Sequence, residues 1–246
     1  MSSQKQQITT EGLSLTRRGF VNAAMGVAGV GAAALTLGLS PDWRRIVLDG
    51  ASRWNDRAQG MLFSPEKLAP TYGADDITTP FPFNAFYPEA YAPKIDPMHW
   101  QLSLGDNIKR KKPLTLSELR DMEQESHITR LICIEGWSAI GEWSGVRLAN
   151  VLSLIGADMN APYLRLDCED GYFTSIDMAS AMHPQTLLAL DFLGKPLSRS
   201  FGAPLRLRIP VKLGFKNAKF VTKLSVHYSF QGGYWEDQGY NWFAGL

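Results

Sequence analysis

The chain has 246 residues, 45% of them hydrophobic and 20% charged, and a formal net charge of +1. This is the composition of a globular protein, and the charge balance excludes the basic footprint of a nucleic-acid binder. A chain of this length hides roughly 70–75% of its unfolded surface, enough for a sizeable core.

The first signal along the chain is an address. Thr16-Arg17-Arg18-Gly19-Phe20-Val21-Asn22 opens an uncharged run, rich in Ala and Gly, over residues 21–39. Paired arginines followed by Phe20 and such a run predict a twin-arginine secretion signal, the route that exports already folded proteins, and hence a periplasmic destination. The alternative is a transmembrane anchor, because the run is about long enough to span a bilayer. No small-x-small cleavage site follows Leu39, so retention as an N-terminal anchor stays open. Residues 1–45 are set apart, and residues 46–246 are read as one domain.

Residues 41–63 place Trp43, Ile46, Val47, Leu48 and Trp54 among Arg and Asp, predicting an amphipathic helix. Residues 64–98, rich in Pro, Tyr and Phe, predict an extended segment over a domain surface. Residues 100–106 alternate as a strand ending in a turn. The basic run Lys109-Arg110-Lys111-Lys112 before Pro113 reads as a solvated turn. Thr115 with Glu118 forms a capping-box pattern for a short helix. Residues 129–134 predict a strand broken at Glu135-Gly136-Trp137, and residues 146–155 a helix. Residues 163–167 and 172–177 predict strands joined by a turn at Asp170-Gly171. A short helix over 178–183 ends at Pro184. Strands are expected over 187–192, 205–211 and 220–230. Strands and helices mix without strict alternation, so the class is α+β with mixed sheets.

Of the two cysteines, Cys133 ends an apolar strand. A buried core thiol, a disulfide with Cys168 and a functional thiolate are all open on its local sequence. The segments Asn84-Ala85-Phe86-Tyr87, Cys133-Ile134-Glu135-Gly136-Trp137-Ser138 with Trp143-Ser144-Gly145, residues 202–210 around Gly202-Ala203-Pro204, residues 212–219 around Gly214-Phe215-Lys216-Asn217, and the tail Gly232-Gly233-Tyr234-Trp235 occur in that order. Together they resemble the sulfite-oxidase-like molybdopterin oxidoreductases, from about residue 80 to the C-terminus. The closest likeness is to small exported members, the catalytic subunits that reduce methionine sulfoxide in the periplasm.

The resemblance implies a sulfite-oxidase-type molybdopterin-binding fold, a molybdenum-molybdopterin cofactor and Cys133 as the protein's thiolate ligand to the metal. A thiolate is a suitable soft donor to such a metal. It further implies cofactor contacts at Asn84, Tyr87, Pro88, Cys168, Phe201, Arg206, Asn217, Ala218 and Lys219. Phe201 stands where an Asn or His usually precedes Gly-Ala-Pro, so only packing or backbone contact can remain there. Cys168 stands where a Thr or Cys is found, and a metal-bound Cys133 is not free to pair with it. Arg206, Lys212, Lys216 and Lys219 are the cations available to the pterin phosphate. His183 either lines the metal pocket or phosphate path, or is a helix-end histidine satisfied by backbone.

Sulfite oxidases place arginines soon after the ligand cysteine. Here Glu135 follows Cys133 by two residues and points to a neutral substrate. The reaction expected is reduction of sulfoxides or N-oxides by oxo transfer, with Cys133 and Glu135 as the catalytic pair. A sulfite-type dehydrogenase on the same fold and a non-catalytic binding module are the alternatives. No haem-attachment or iron–sulfur cysteine pattern is present, so the resemblance implies a membrane b-type cytochrome as electron partner. A monomer is expected, because the immunoglobulin-like dimerisation domain of sulfite oxidases does not appear.

Overall fold

The computed structural model describes residues 41–246; the paired arginines and the uncharged run after them lie outside the described residues. The first element is helix α1 (Pro41–Leu62). Compact units divide within it, at Asn55/Asp56, and the second unit carries every strand. In that unit, Asp56 accepts from Asn241 Nδ2 (2.6 Å) and from the backbone N–H of Phe243 (2.8 Å), tying the C-terminal tail to the last turns of α1.

Two five-stranded sheets form the domain. The first has β1 (Gln101–Leu104), β2 (Leu114–Thr115), β5 (Tyr163–Cys168), β6 (Phe173–Asp177) and β10 (Val221–His227), in the order β2-β1-β10-β5-β6. β1 and β10 run parallel while the other pairs are antiparallel, so the sheet is mixed. The second has β3 (Gln124–Ile132), β4 (Ser138–Arg147), β7 (Leu187–Phe192) and β8 (Lys195–Pro196) in that order, with β9 (Arg206–Arg208) also on β7. Short helices α2 (Leu116–Arg120), α3 (Leu148–Leu154) and α4 (Met178–Ala181) lie between strands. The main core gathers Leu102, Leu148, Leu164, Leu166, Leu188, Leu207, Val221 and Leu224, drawn from both sheets and from α3.

The capping box at Thr115 and Glu118 is realised: Thr115 Oγ1 accepts from Glu118 N (3.2 Å), and a Glu118 carboxylate oxygen accepts from Thr115 N (2.9 Å). The strand expected over 205–211 contracts to Arg206–Arg208, because Pro204 and Pro210 bracket it and proline cannot donate to a ladder. The ten-residue strand β4 is a difference from the sequence reading. Its inward positions are Ala139, Gly141, Trp143 and Gly145, and three of those four are too small to register as apolar alternation. Gly145 is required there. A Cβ at that position would lie 2.1 Å from the carbonyl oxygen of Leu188, where β4 bulges against β7.

Candidate active site

Two hairpins of like sequence face one cleft. The first joins β3 to β4 through Cys133-Ile134-Glu135-Gly136-Trp137. Cys133 N donates to Trp137 O (2.9 Å), and Gly136 N donates to Cys133 O (3.2 Å). Gly136 has φ +92°, a conformation that any Cβ would strain. The second joins β5 to β6 through Cys168-Glu169-Asp170-Gly171-Tyr172. Cys168 N donates to Tyr172 O (3.0 Å), and Gly171 N donates to Cys168 O (3.2 Å). Each turn reads cysteine, any residue, acid, glycine, aromatic. Each therefore sends one carboxylate toward the cleft while its strands hold the cysteine at the hairpin's root.

Both carboxylates are oriented by aromatic donors. Trp137 Nε1 donates to Glu135 Oε2 (2.9 Å), and the Cys133 thiol approaches the same oxygen at 3.7 Å. Tyr87 Oη donates to Asp170 Oδ2 (2.7 Å), and Tyr172 N donates to Asp170 Oδ1 (3.1 Å). The cleft has a volume of about 100 Å³ and is open to solvent; it is lined by Cys133, Ile134, Glu135, Asp170, Tyr172, Asn84, Ala85 and Phe86, by residues 214–219 apart from Lys216, and by Trp235. Phe86 stacks on Tyr234 (ring centroids 4.7 Å) and lies near Tyr172 (6.1 Å), so one wall is aromatic.

The floor beneath the cleft is cationic. Arg206 and Arg208 are each 1% exposed and flank Trp143, at 4.4 and 5.9 Å from its ring. Their partners among the described residues are neutral. Arg206 donates to the carbonyls of Phe201 and Asn217, and Arg208 to Asn217 Oδ1, Thr129 Oγ1 and the Arg130 carbonyl. The Nε of each has no partner. Burial lowers both guanidinium pKa values to about 9. Lys219 lines the cleft, donates to Ser200 O (3.0 Å), and is pushed down to about 7 by burial and then by the charge of Arg206.

Lys212 and Lys216, expected among the phosphate cations, are committed elsewhere. Lys212 Nζ pairs with Asp177 at 2.9 Å over the Phe243 ring. Lys216 forms a buried ion pair with Glu236 and donates to Ser175 O (2.9 Å). A buried lysine takes the nearest carboxylate, because an unpaired charge there is costly. Lys216 thereby fastens the turn Gly214–Lys216 to the tail that carries Tyr234 and Trp235. His183 is satisfied by backbone: its Nε2 bonds the Lys67 carbonyl (3.1 Å) and its Nδ1 accepts from Gln185 N (3.2 Å).

Of the residues expected at the site, Asn84, Cys133, Glu135, Asn217, Ala218 and Lys219 line the cleft together. Tyr87 reaches it through Asp170. Asn217 is spent within the protein: its side chain bonds Arg208, Ile209 N and Leu213 O, its N–H donates to the Gly214 carbonyl (3.0 Å) and its carbonyl accepts from Arg206. Arg206 and Cys168 lie buried beneath the surface. Pro88 opens a short 3₁₀ turn (Glu89–Tyr91) beside it. Phe201 faces an aromatic cluster with Phe81 and Phe192. The sequence reading missed Asp170, Tyr172 and Trp235. The signal that finds Asp170 is the repeat of the Cys133–Trp137 pattern at Cys168–Tyr172.

Two sheets that present a lone thiol beside a cation-floored cleft define a class of cofactor-binding oxidoreductase. Residues 89–235 match the oxidoreductase molybdopterin binding domain, and the chain belongs to that family. It is 50% identical over 194 residues to the putative protein-methionine-sulfoxide reductase subunit YedZ1 of Azospira oryzae, covering 79% of this chain and 74% of that one. It is 31% identical over 188 residues to the protein-methionine-sulfoxide reductase catalytic subunit MsrP of Xanthomonas axonopodis pv. citri, covering 66% of this chain and 57% of that one. The fold is also similar to the sulfane dehydrogenase SoxCD of Paracoccus pantotrophus, with TM-score 0.53, 18% identity, and coverage of 56% of this chain and 40% of that one. The chain is thus a molybdopterin-dependent oxidoreductase with a sulfite-oxidase-like fold.

The residues present fit such a cofactor. A pterin phosphate is an anion, and Arg206 and Lys219 are buried cations without carboxylate partners at hydrogen-bond distance. Burial raises the Cys133 thiol pKa, and Glu135 adds to this by its charge, though the loop's backbone donors oppose it. The protein alone therefore keeps the thiol protonated, and a bound metal is what would make it a thiolate.

Lys219 gives this fit a pH signature. Its folded pKa of about 7 lies below that of the unfolded side chain. Between the two values the unfolded chain holds the extra proton, so the lysine's contribution to cofactor-free stability rises with pH above about 7. An anion held by Lys219 restores the proton. Inorganic phosphate is therefore expected to raise the melting temperature of cofactor-free protein more at pH 6 than at pH 9. Lys219→Met should remove most of that difference. A difference undiminished in the variant contradicts this assignment.

Proposed function

We propose that the protein reduces neutral sulfoxides, methionine sulfoxide in proteins among them, with N-oxides as further substrates. The observation that carries this reading is Glu135, which lines the cleft beside Cys133 and is held there by Trp137. The relatives' names supply the substrate class. A molybdenum-molybdopterin cofactor supplies the two-electron oxo-transfer chemistry when bound.

The chain's own residues then have separable tasks. Cys133 offers the sulfur ligand. Arg206 and Lys219, with backbone at Ala218 and the Gly214 turn, hold the anionic end of the cofactor. Asn84 lines the cleft, and Tyr87 orients Asp170 in it. Glu135 and Asp170 put negative charge at the mouth, where the aromatic face of Phe86, Tyr172 and Trp235 accepts a thioether-like side chain. Neither Arg130 nor Arg147 supplies a counter-cation: Arg130 lies over Tyr72 (5.1 Å) and Arg147 faces Glu125 (3.7 Å). A carboxylate about 4 Å from an anion costs roughly 1 kcal/mol in water and about 4 kcal/mol at an effective dielectric of 20. Sulfite is disfavoured on that ground, and a sulfite-type dehydrogenase is the reading its turnover would support.

Wild-type holo-protein is expected to turn over methionine sulfoxide with a reduced dye and to oxidise sulfite slowly. Glu135→Gln should narrow the gap by raising sulfite turnover relative to sulfoxide turnover. Efficient sulfite oxidation with no sulfoxide reduction in the wild type contradicts the proposal.

Export by the twin-arginine route and electron supply by a membrane b-type cytochrome complete the proposal. The first rests on Arg17, Arg18 and Phe20, and the second on the missing haem and iron–sulfur cysteine patterns. Arg17→Lys with Arg18→Lys should leave holo-protein in the cytoplasm, and normal export of that variant rules the route out.

A further inference from the structure

Helix α1 carries its apolar side chains on the side that water sees. Trp43, Ile46, Gly50, Trp54 and Met61 recur at the three-to-four-residue spacing of one helix face. Trp43 is 60% exposed, Ile46 59%, Trp54 53% and Met61 87%. Arg53 and Arg57 are exposed among them. On the other flank Val47, Ala51, Asn55 and Ala58 are half-buried. Single exposed apolar residues are ordinary, but a row of two tryptophans, an isoleucine and a methionine in helical register is a contact surface.

The geometry points to a bilayer surface as what covers this face: α1 lies in the membrane interface, its tryptophans and Ile46 at the boundary between headgroups and acyl chains and its arginines at anionic headgroups. Three observations select lipid. The helix cannot cross a membrane, because it holds four arginines and three aspartates in 22 residues, and among the described residues no helix is long and apolar enough to cross. A helix face that carries tryptophan and other apolar side chains with arginine among them is the pattern that settles at the level of the headgroups. The uncharged run of residues 21–39 ends at Leu39, with only Ser40 before Pro41. That run is the proposed export signal, so α1 is the segment that follows it directly in the chain.

The test uses full-chain holo-protein reconstituted with vesicles of phosphatidylethanolamine and phosphatidylglycerol, with and without bromine on the acyl chains. Trp43 and Trp54 are two of the chain's seven tryptophans. Brominated lipid should quench the wild-type emission, and most of the quenched fraction should be missing from Trp43→Phe/Trp54→Phe, which keeps the face apolar. Ile46→Asp, which alters no fluorophore, should reduce the quenching while secondary structure and molybdopterin content stay at wild-type levels. Equal quenching in the wild type and the double phenylalanine variant overturns the proposal, even if the protein sediments with the vesicles through residues 21–39. So does a pair of indoles shielded from aqueous iodide yet untouched by brominated lipid, since that reports burial against another protein or a second copy of the chain.

Discussion

Two guanidinium groups buried without a carboxylate are the constraint around which the site is built. Arg206 and Arg208 alternate with Leu207 on β9, and both flank Trp143 on β4. Stacking on an indole returns roughly 0.5–2 kcal/mol per cation. Leaving a buried charge without its counter-ion costs about 3–5 kcal/mol when one member of an ion pair is removed. Neutral carbonyls, Thr129 and Asn217 soften that cost and fix the loop that carries Asn217, Ala218 and Lys219. These bonds use up Asn217, whose N–H also donates to the Gly214 carbonyl, and leave Ala218 and Lys219 to face the cleft beside it. Burial holds Lys219 and both arginines below their ordinary pKa values, and the charge of Arg206 lowers Arg208 and Lys219 further.

The second organising feature is the pair of matched hairpins. Each has a glycine with positive φ one residue before an aromatic, which turns the chain tightly enough for an acid to face inward. The first brings Cys133 and Glu135 to one wall, and the second brings Asp170 to another. Acid positions are fixed by Trp137 in one case and by Tyr87 in the other. The distant segment around Tyr87 is thereby drawn onto the β5–β6 turn, and Phe86 follows it onto Tyr234. A third link, the buried Lys216–Glu236 pair, holds the tail in place behind Trp235. The cleft is consequently assembled from five separate stretches of the chain, around Asn84, Cys133, Asp170, Gly214 and Trp235.

Local patterns were legible where their partners lie close by in the chain. The capping box at Thr115 needs only Glu118, and the β5–β6 turn needs only Asp170-Gly171. The order of motifs from Asn84 to Lys219 placed six residues in one cleft. What sequence did not reveal depends on distance or on small side chains. Lys212 and Lys216 read as free cations because Asp177 and Glu236 lie 35 and 20 residues away. Strand β4 was hidden because its inward row is mostly Ala and Gly, chosen for close approach to β7 rather than for apolar area. Asp170 read as a turn residue because nothing local shows that Tyr87 bonds to it.

We propose that Cys133 supplies the metal's protein sulfur while the buried cations hold the cofactor independently of it. Electron paramagnetic resonance of purified holo-protein, wild type beside Cys133→Ser, with pterin content measured on the same samples, tests both halves. The variant is expected to show an altered molybdenum spectrum and lost turnover, with pterin largely retained on Arg206 and Lys219. An unchanged spectrum with full turnover would contradict it.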